Sequence, residues 1–327
     1  MSVRVVWLTE LGGPDVLVPG DAPDPTPGPG QVVVDVAYAK VTFVETQFRA
    51  TGFGPFTPEP PMVMGNGVGG VVTAVGAGVD GGLVGRRVVA GTGGSGGYAE
   101  RVAVEAAAVV DVPDGLGLDT AVAVMADGRT ALLLVRAAGL RDGDRVLVEA
   151  AAGGVGTLLV QLATAAGAWV VAAADGEPKT RLAFDLGADV AVDYREPGWT
   201  GTVRDAAGPL DVVFDGVGGA VGRAAFELLG PGGRMLSYGP GERRVGRSLR
   251  GTGEPARRRA GAGVRHAGRA ARAHRPGTRG RANGRLRPVI GQRFPLERAA
   301  DAHAAIESRA TVGKTLLVAA APADEFT

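Results

Sequence analysis

Along the first 120 residues the apolar positions come in short β-branched runs. "QVVVDVAYA", "GVVTAV", "RRVVA" and "YAERVAV" are separated by Gly and Pro clusters such as "DAPDPTPGPG". Such runs between turn residues predict strands, and strands in succession without helices predict an antiparallel, barrel-like domain. From about Thr120 the period changes. "TAVAVMADGRTALLLVRAAG" predicts a helix, "RVLVEA" a strand, "TLLVQLATAAG" a helix and "WVVAAA" a strand. "PKTRLAFDLG" continues as helix, "VAVDY" and "LDVVFDG" as strands, "AVGRAAFELL" as helix and "RMLSYG" as strand. Apolar strands alternating with helices predict a parallel sheet covered on both faces. The closing "LRPVIGQRFPLERAADAHAAIESRATVGKTLLV" predicts a strand, an amphipathic helix and a last strand.

Between these regions the pattern collapses. Residues 241–285 hold 14 Arg against two Glu, with no Asp, Lys or aromatic, and only Val245, Leu249 and Val264 are branched aliphatics. That stretch cannot bury enough apolar surface to offset its ordering entropy, so it predicts irregular structure. Two readings compete for it. A basic arm could grip nucleic acid beside a relict nucleotide-binding domain, yet it lacks aromatics for stacking. The abrupt Arg/Ala/Gly/Pro composition also fits a compensated frame shift in a GC-rich gene.

Composition narrows the chemistry. The chain of 327 residues has room for two domains, and 45% apolar content excludes wholesale disorder. A net charge of +1 gives no general electrostatic claim on nucleic acid or membrane. The absence of Cys removes disulfides, thiolate nucleophiles and cysteine zinc sites together. "MSVRVVWLTE" lacks a signal-peptide pattern, and the uncharged Ala150–Ala174 stretch is too glycine-broken for a membrane helix, so a cytoplasmic protein is expected.

The candidate chemistry sits in "VEAAAGGVGTLLVQLA". Ala151, Gly153 and Gly156 form A-x-G-x-x-G, a dinucleotide fingerprint with its first Gly replaced. Ala152, Gly153, Gly154, Val155 and Gly156 would bring backbone to a pyrophosphate at a helix N-terminus. The pattern alone is weak, but it follows a strand and opens a helix, as the motif requires. At the end of the next strand Asp175 would suit a ribose diol and Lys179 a 2′-phosphate, which leaves the nucleotide open.

"AAAGGVGTLLVQLA", "GGYAERVAV", "DGRTALLLV", "LGADVAVDY", "DVVFDGVGG" and "FPLERAADAHAAIESRATVGKTLLV", in this order, resemble the zinc-less quinone oxidoreductase (zeta-crystallin-like) branch of the medium-chain dehydrogenase/reductases. The resemblance implies a GroES-like, β-rich catalytic domain from residues 1–124 with 286–327, and a Rossmann domain over 125–285. It further implies NADPH, with Lys179, Tyr194 and Arg309 around the 2′-phosphate. Gly216 and Gly218 of "DGVGG" would line the cofactor and Tyr238 would close over it. Thr42 and Thr130 match positions near the nicotinamide, and with no metal or obvious acid Thr42, Gln47 or backbone N–H groups would polarise the substrate carbonyl. A small apolar quinone or enone, no membrane and a homodimer, where 241–285 permits one, complete what is implied.

Departures are informative too. Zinc-binding relatives have His and Glu where this chain has Asn66 and Gly67, so no metal site is expected. Phe43, Phe48, Phe53, Phe56, Met62 and Met64 are a candidate substrate wall or plain core. "GGSGG" around Ser95 matches a nucleophile elbow only in letters, since a strand-like run follows it. His303, in an Ala-rich helix, reads as structural.

Overall fold

The computed structural model describes residues 1–54, 59–239, 248–250 and 286–319. Strands β1 (Ser2–Leu8), β2 (Leu17–Pro23) and β3 (Gln31–Val41) come first, and helix α1 (Phe43–Thr51) follows directly. β4 (Met62–Val63), β5 (Val68–Val75), β6 (Arg87–Ala90), β7 (Arg101–Glu105) and β8 (Val109–Asp111) precede the long α2 (Leu118–Ala138). Strand and helix then alternate through β9 (Arg145–Glu149), α3 (Gly154–Ala165), β10 (Trp169–Ala174), α4 (Glu177–Asp185) and β11 (Val190–Asp193). The alternation continues through α5 (Trp199–Ala207), β12 (Leu210–Asp215), α6 (Gly219–Phe226) and β13 (Leu229–Ser237). β14 (Ser248–Arg250), β15 (Ile290–Pro295), α7 (Ala299–Glu307) and β16 (Lys314–Val318) complete the described elements.

Two compact units result. The first comprises Met1–Thr130, Gly153–Val155 and Pro288–Thr327, and the second Ala131–Ala152 and Gly156–Arg287. In the first, β3 is the spine and pairs antiparallel with β5, β7 and β16. Its sheet runs β15-β16-β3-β5-β6-β8, with a separate sheet β2-β1-β4. Val32, Val34, Val36, Val68 and Val88 share one buried cluster, which explains the β-branched bias of this part. This is the GroES-like half of a mixed α/β fold.

The second unit is the Rossmann half, with strand order β11-β10-β9-β12-β13-β14. All pairs are parallel except the last. The order reverses direction between β9 and β12, and such a switch point opens a crevice at the strand carboxyl ends. Val146, Leu147, Val148, Val170, Val171, Val212 and Val213 are all 0% exposed, as strands covered on both faces require.

Three differences from the sequence pattern have physical causes. α3 begins at Gly154, ahead of the aliphatic run, because the glycines form its first turn. α5 was hidden by Gly198 and Gly201, although Val203 and Ala207 are its buried stripe at i, i+4. Ser248–Arg250, expected to be irregular, is an edge strand antiparallel to β13, needing only main-chain pairing. The remainder of 241–285 lies outside the described residues.

Candidate functional site

The glycine turn is built where β9 meets α3. Ala150 takes a left-handed φ of 47°, uncommon for a residue with a Cβ and typical of functional turns. Ala151 N–H donates to Ala173 O on β10 at 3.1 Å, which ties the turn to the sheet. Gly156 is buried, and a Cβ there would lie 2.1 Å from Ala150 O, so only glycine lets helix and strand approach this closely. Ala152 is 2% exposed, whereas Gly153, Gly154 and Val155 are half-buried at the helix N-terminus. Gly153 also bridges to Gly313. Half-buried glycine backbone at the first turn of a 12-residue helix fits a dinucleotide phosphate.

A second turn lies beside it. Asp215 ends β12 and accepts from Gly218 N at 2.6 Å, Val217 N at 3.2 Å and Ser237 Oγ at 2.8 Å. Tyr238 Oη donates to Glu149 O at 3.1 Å, and a Cβ on Gly216 would lie 2.5 Å from that hydroxyl. Gly216, Gly218 and Tyr238 are thus one cluster with the end of β9. Glu149, fully buried in it, was not singled out from the sequence. Its signal was an acid ending an otherwise apolar strand.

The ends of β10 and β11 carry charge. Lys179 Nζ stands 3.7 Å from Asp175 Oδ2, and Arg195 Nε stands 2.7 Å from Asp175 Oδ1 without the direction of a hydrogen bond. Arg195 also pairs with Asp193 at 2.9 Å, and Asp193 caps Gly176 N at 3.0 Å. Hydrogen bonding from Arg195 holds the Asp193 carboxyl below its usual range. Tyr194, between these residues, packs against the core of this unit. Arg195 is a further basic residue here, legible as a base just after "VAVDY".

In the first unit Thr42 caps α1. Its backbone N–H donates to Glu45 Oε2 at 2.6 Å and Glu45 N donates back to Thr42 Oγ1 at 3.4 Å, a capping box, and the Thr42 hydroxyl also donates to Glu45 Oε2 at 2.8 Å. Glu45 also accepts Asn66 N–H at 2.9 Å and faces Lys40 Nζ at 4.0 Å. Burial pushes the Lys40 ammonium down, and Glu45 offsets part of that. Lys314 Nζ pairs with Asp127 at 3.1 Å, and a Cβ on Gly154 would lie 2.1 Å from Asp127 Oδ2. Thr130 Oγ1 donates within α2 to Ala126 O at 2.9 Å. Gln47 is half-buried on α1, and its side-chain amide makes no hydrogen bond among the described residues. Arg309 is exposed just beyond α7 with a left-handed φ of 56°.

The other candidates divide between core and surface. Phe48, Met62 and Met64 belong to the main core cluster, whereas Phe43 and Phe53 are 37% and 68% exposed. Phe56 lies outside the described residues. Ser95 sits in a glycine turn before β7, with no helix behind it. His303 is buried, its Nε2 3.0 Å from Tyr98 Oη.

A GroES-like unit and a Rossmann unit with a glycine turn at the switch point define a dinucleotide-dependent dehydrogenase of the medium-chain type. Matching families are "Alcohol dehydrogenase GroES-like domain" over residues 28–114 and "Zinc-binding dehydrogenase" over residues 186–317. A quinone oxidoreductase from Pseudomonas aeruginosa is 33% identical over 329 residues, covering 97% of this chain and 100% of that one. A 2-haloacrylate reductase from a Burkholderia species is 33% identical over 243 residues, 72% of this chain and 73% of that one. A mycobacterial protein solved in complex with NADPH superposes with a TM-score of 0.75 at 30% identity, covering 97% of this chain and 99% of that one. The chain belongs to the zinc-less quinone oxidoreductase branch of the medium-chain dehydrogenase/reductases, and it is an oxidoreductase. Zinc, present in one family's description, does not fit the donors here. The chain has no Cys, and among the described residues no three His, Asp or Glu side chains converge. No described helix is long and apolar enough to cross a membrane.

Proposed function

We propose that the chain is a metal-free, NADPH-dependent, cytoplasmic reductase of a quinone or an α,β-unsaturated carbonyl. The observation that carries this reading is that two cations, Lys179 in the first turn of α4 and Arg195 just past β11, both stand on Asp175 beyond the end of β10. Asp175, the acid that would hold a ribose diol, is occupied by both cations. A 2′-phosphate can take over those cations, whereas a diol would have to draw the carboxylate away from them. Arg309 is assigned to the same phosphate. The names of the relatives, a quinone oxidoreductase and a 2-haloacrylate reductase, agree on activated double bonds as substrates.

Bound NADPH would supply a hydride, and one solvent proton completes the two-electron reduction to hydroquinone or saturated carbonyl. The chain's own part is binding and orientation. The glycine turn holds the pyrophosphate, and Gly216, Gly218 and Tyr238 hold the remainder of the dinucleotide. Thr42 and Thr130 already donate their hydroxyl protons, to Glu45 and Ala126 O. Gln47 is therefore the side chain assigned to donate to the substrate carbonyl.

Fluorescence titration with NADPH and NADH tests the reading. The wild type should prefer NADPH, and Lys179→Ala should erode the preference about ten- to hundredfold, the worth of a charge-assisted contact. Equal affinity for the two nucleotides, or preference for NADH, refutes it and assigns Asp175 to the ribose.

A further inference from the structure

Glu149 and Asp215 end adjacent strands. Phe214 pairs in register with Val148, so residues 149 and 215 emerge side by side at the switch point. Both are buried, at 0% and 6% exposure, and they share one donor, Val217 N–H, which lies 3.3 Å from Glu149 Oε2 and 3.2 Å from Asp215 Oδ1. Two carboxyls in contact away from water cannot both carry charge, so one holds a proton. Their partners decide which. Asp215 accepts from Gly218 N, Val217 N and Ser237 Oγ, the environment of an anion. Glu149 Oε2 has one long bond from Val217 N at 3.3 Å, and Oε1 is buried with no partner among the described residues. A proton on Glu149 makes that side chain a donor and Asp215 its acceptor. Burial first, then the neighbouring Asp215 carboxyl, push the Glu149 carboxyl up to about 9.

No other described charge reaches the pair. α6 faces Asp215 with Gly222, whose added Cβ would lie 3.1 Å from both carboxylate oxygens. β13 contributes Ser237, and Tyr238 is the other titratable neighbour, bonded to Glu149 O. The shared proton thus joins the left-handed turn at Ala150, the turn Asp215–Gly218 and the strand end that carries Tyr238.

We propose that Glu149, kept as the neutral acid against the Asp215 anion, is a positioning residue for the dinucleotide. This rests on the NADPH-dependent reading above. Its proton latches the turn after β9 to the turn after β12. It also keeps one negative charge, rather than two, beneath a site that must accept phosphates. Ionising Glu149 would break the latch and set a second anion against the bound nucleotide.

The test is NADPH affinity of the full chain from pH 7 to 10, for wild type, Glu149→Gln and Glu149→Ala. The wild-type Kd should be flat to about pH 8.5 and then rise by up to tenfold per unit above about pH 9, the limit for one proton. Glu149→Gln keeps a neutral donor, so its Kd should match wild type at pH 7 and stay flat. Glu149→Ala should bind weakly throughout. A cofactor-free readout accompanies these. A carboxyl whose folded pKa lies above its unfolded value stabilises below the unfolded pKa, and that contribution is lost as pH rises through the folded one. The melting temperature of Glu149→Gln should therefore gain on wild type between pH 5 and 9 and then level off. Parallel melting profiles would overturn the buried proton. A Kd that climbs equally in Glu149→Gln would overturn the positioning role. Failure of all three proteins to bind any dinucleotide, with the melting difference intact, would instead overturn the NADPH reading and the positioning role with it.

Discussion

Gly156→Ala places a methyl group where the structure has no room. The new Cβ would lie 2.1 Å from Ala150 O, and 2.9 Å from Ala150 C and Ala151 Cα, all main-chain atoms that no rotamer change can move. Relief requires α3 to lift from the end of β9 by about 1.4 Å, since ordinary carbon contacts begin near 3.5 Å. Lifting α3 loosens Leu158, Leu159, Val160 and Ala163, the face it buries. A gap of that size forfeits at least about half of each contact's attraction, and overpacking of this kind costs roughly 1–3 kcal/mol. The expected loss is therefore about 3 kcal/mol, or roughly 6–12 °C in melting temperature for a unit of this size. Thermal denaturation followed by circular dichroism reads it. Gly201→Ala is the control, because α5 offers open space there and no positive φ, so it should gain about 0.5–1 kcal/mol. A Gly156→Ala protein that melts with wild type, or above it, would refute the close-approach argument. NADPH affinity should fall with stability, since the same shift displaces the N–H groups of the turn.

Two further outcomes follow from particular geometries. Arg309 follows the end of α7 with φ 56° and donates its N–H to Ile306 O at 3.0 Å, the position where glycine relieves a left-handed Cβ. Arg309→Gly should therefore raise stability by about 1 kcal/mol, read as a higher melting temperature, while weakening NADPH about tenfold in the same titration; unchanged affinity would remove Arg309 from the phosphate site. His303 is buried against Tyr98, and burial pushes its pKa from 6.5 to about 4, with Glu45 opposing and Arg49 reinforcing. Folded below unfolded means stability that is complete above about pH 6.5 and lost as pH falls towards 4, about 3 kcal/mol in all. Urea unfolding at pH 7.5 and 4.5 should show His303→Gln losing about 2.5 kcal/mol less than wild type over that interval, and equal losses would contradict a neutral buried imidazole.

What was legible in the sequence was what depends on neighbours along the chain. The β-branched runs of residues 1–120 and the strand–helix alternation after them expressed burial on one face or two, and that pattern survives folding. The turn at Gly153–Gly156 was legible because its chemistry lies within one strand–turn–helix unit. α1 could have been found in the same way, since "TFVE" is a capping box in four letters. What escaped depends on which strands become neighbours. Glu149 and Asp215 are 66 positions apart in the sequence, each an acid closing an apolar strand, and nothing local says that β12 crosses over to lie beside β9. The fold class does say it, because a doubly wound sheet places its fourth strand next to its first at the point where the winding reverses. An acid at the end of each of those two strands must then lie in the cofactor crevice, buried, and beside another acid. The proton they share follows from topology plus electrostatics, by a step from strand order to strand ends.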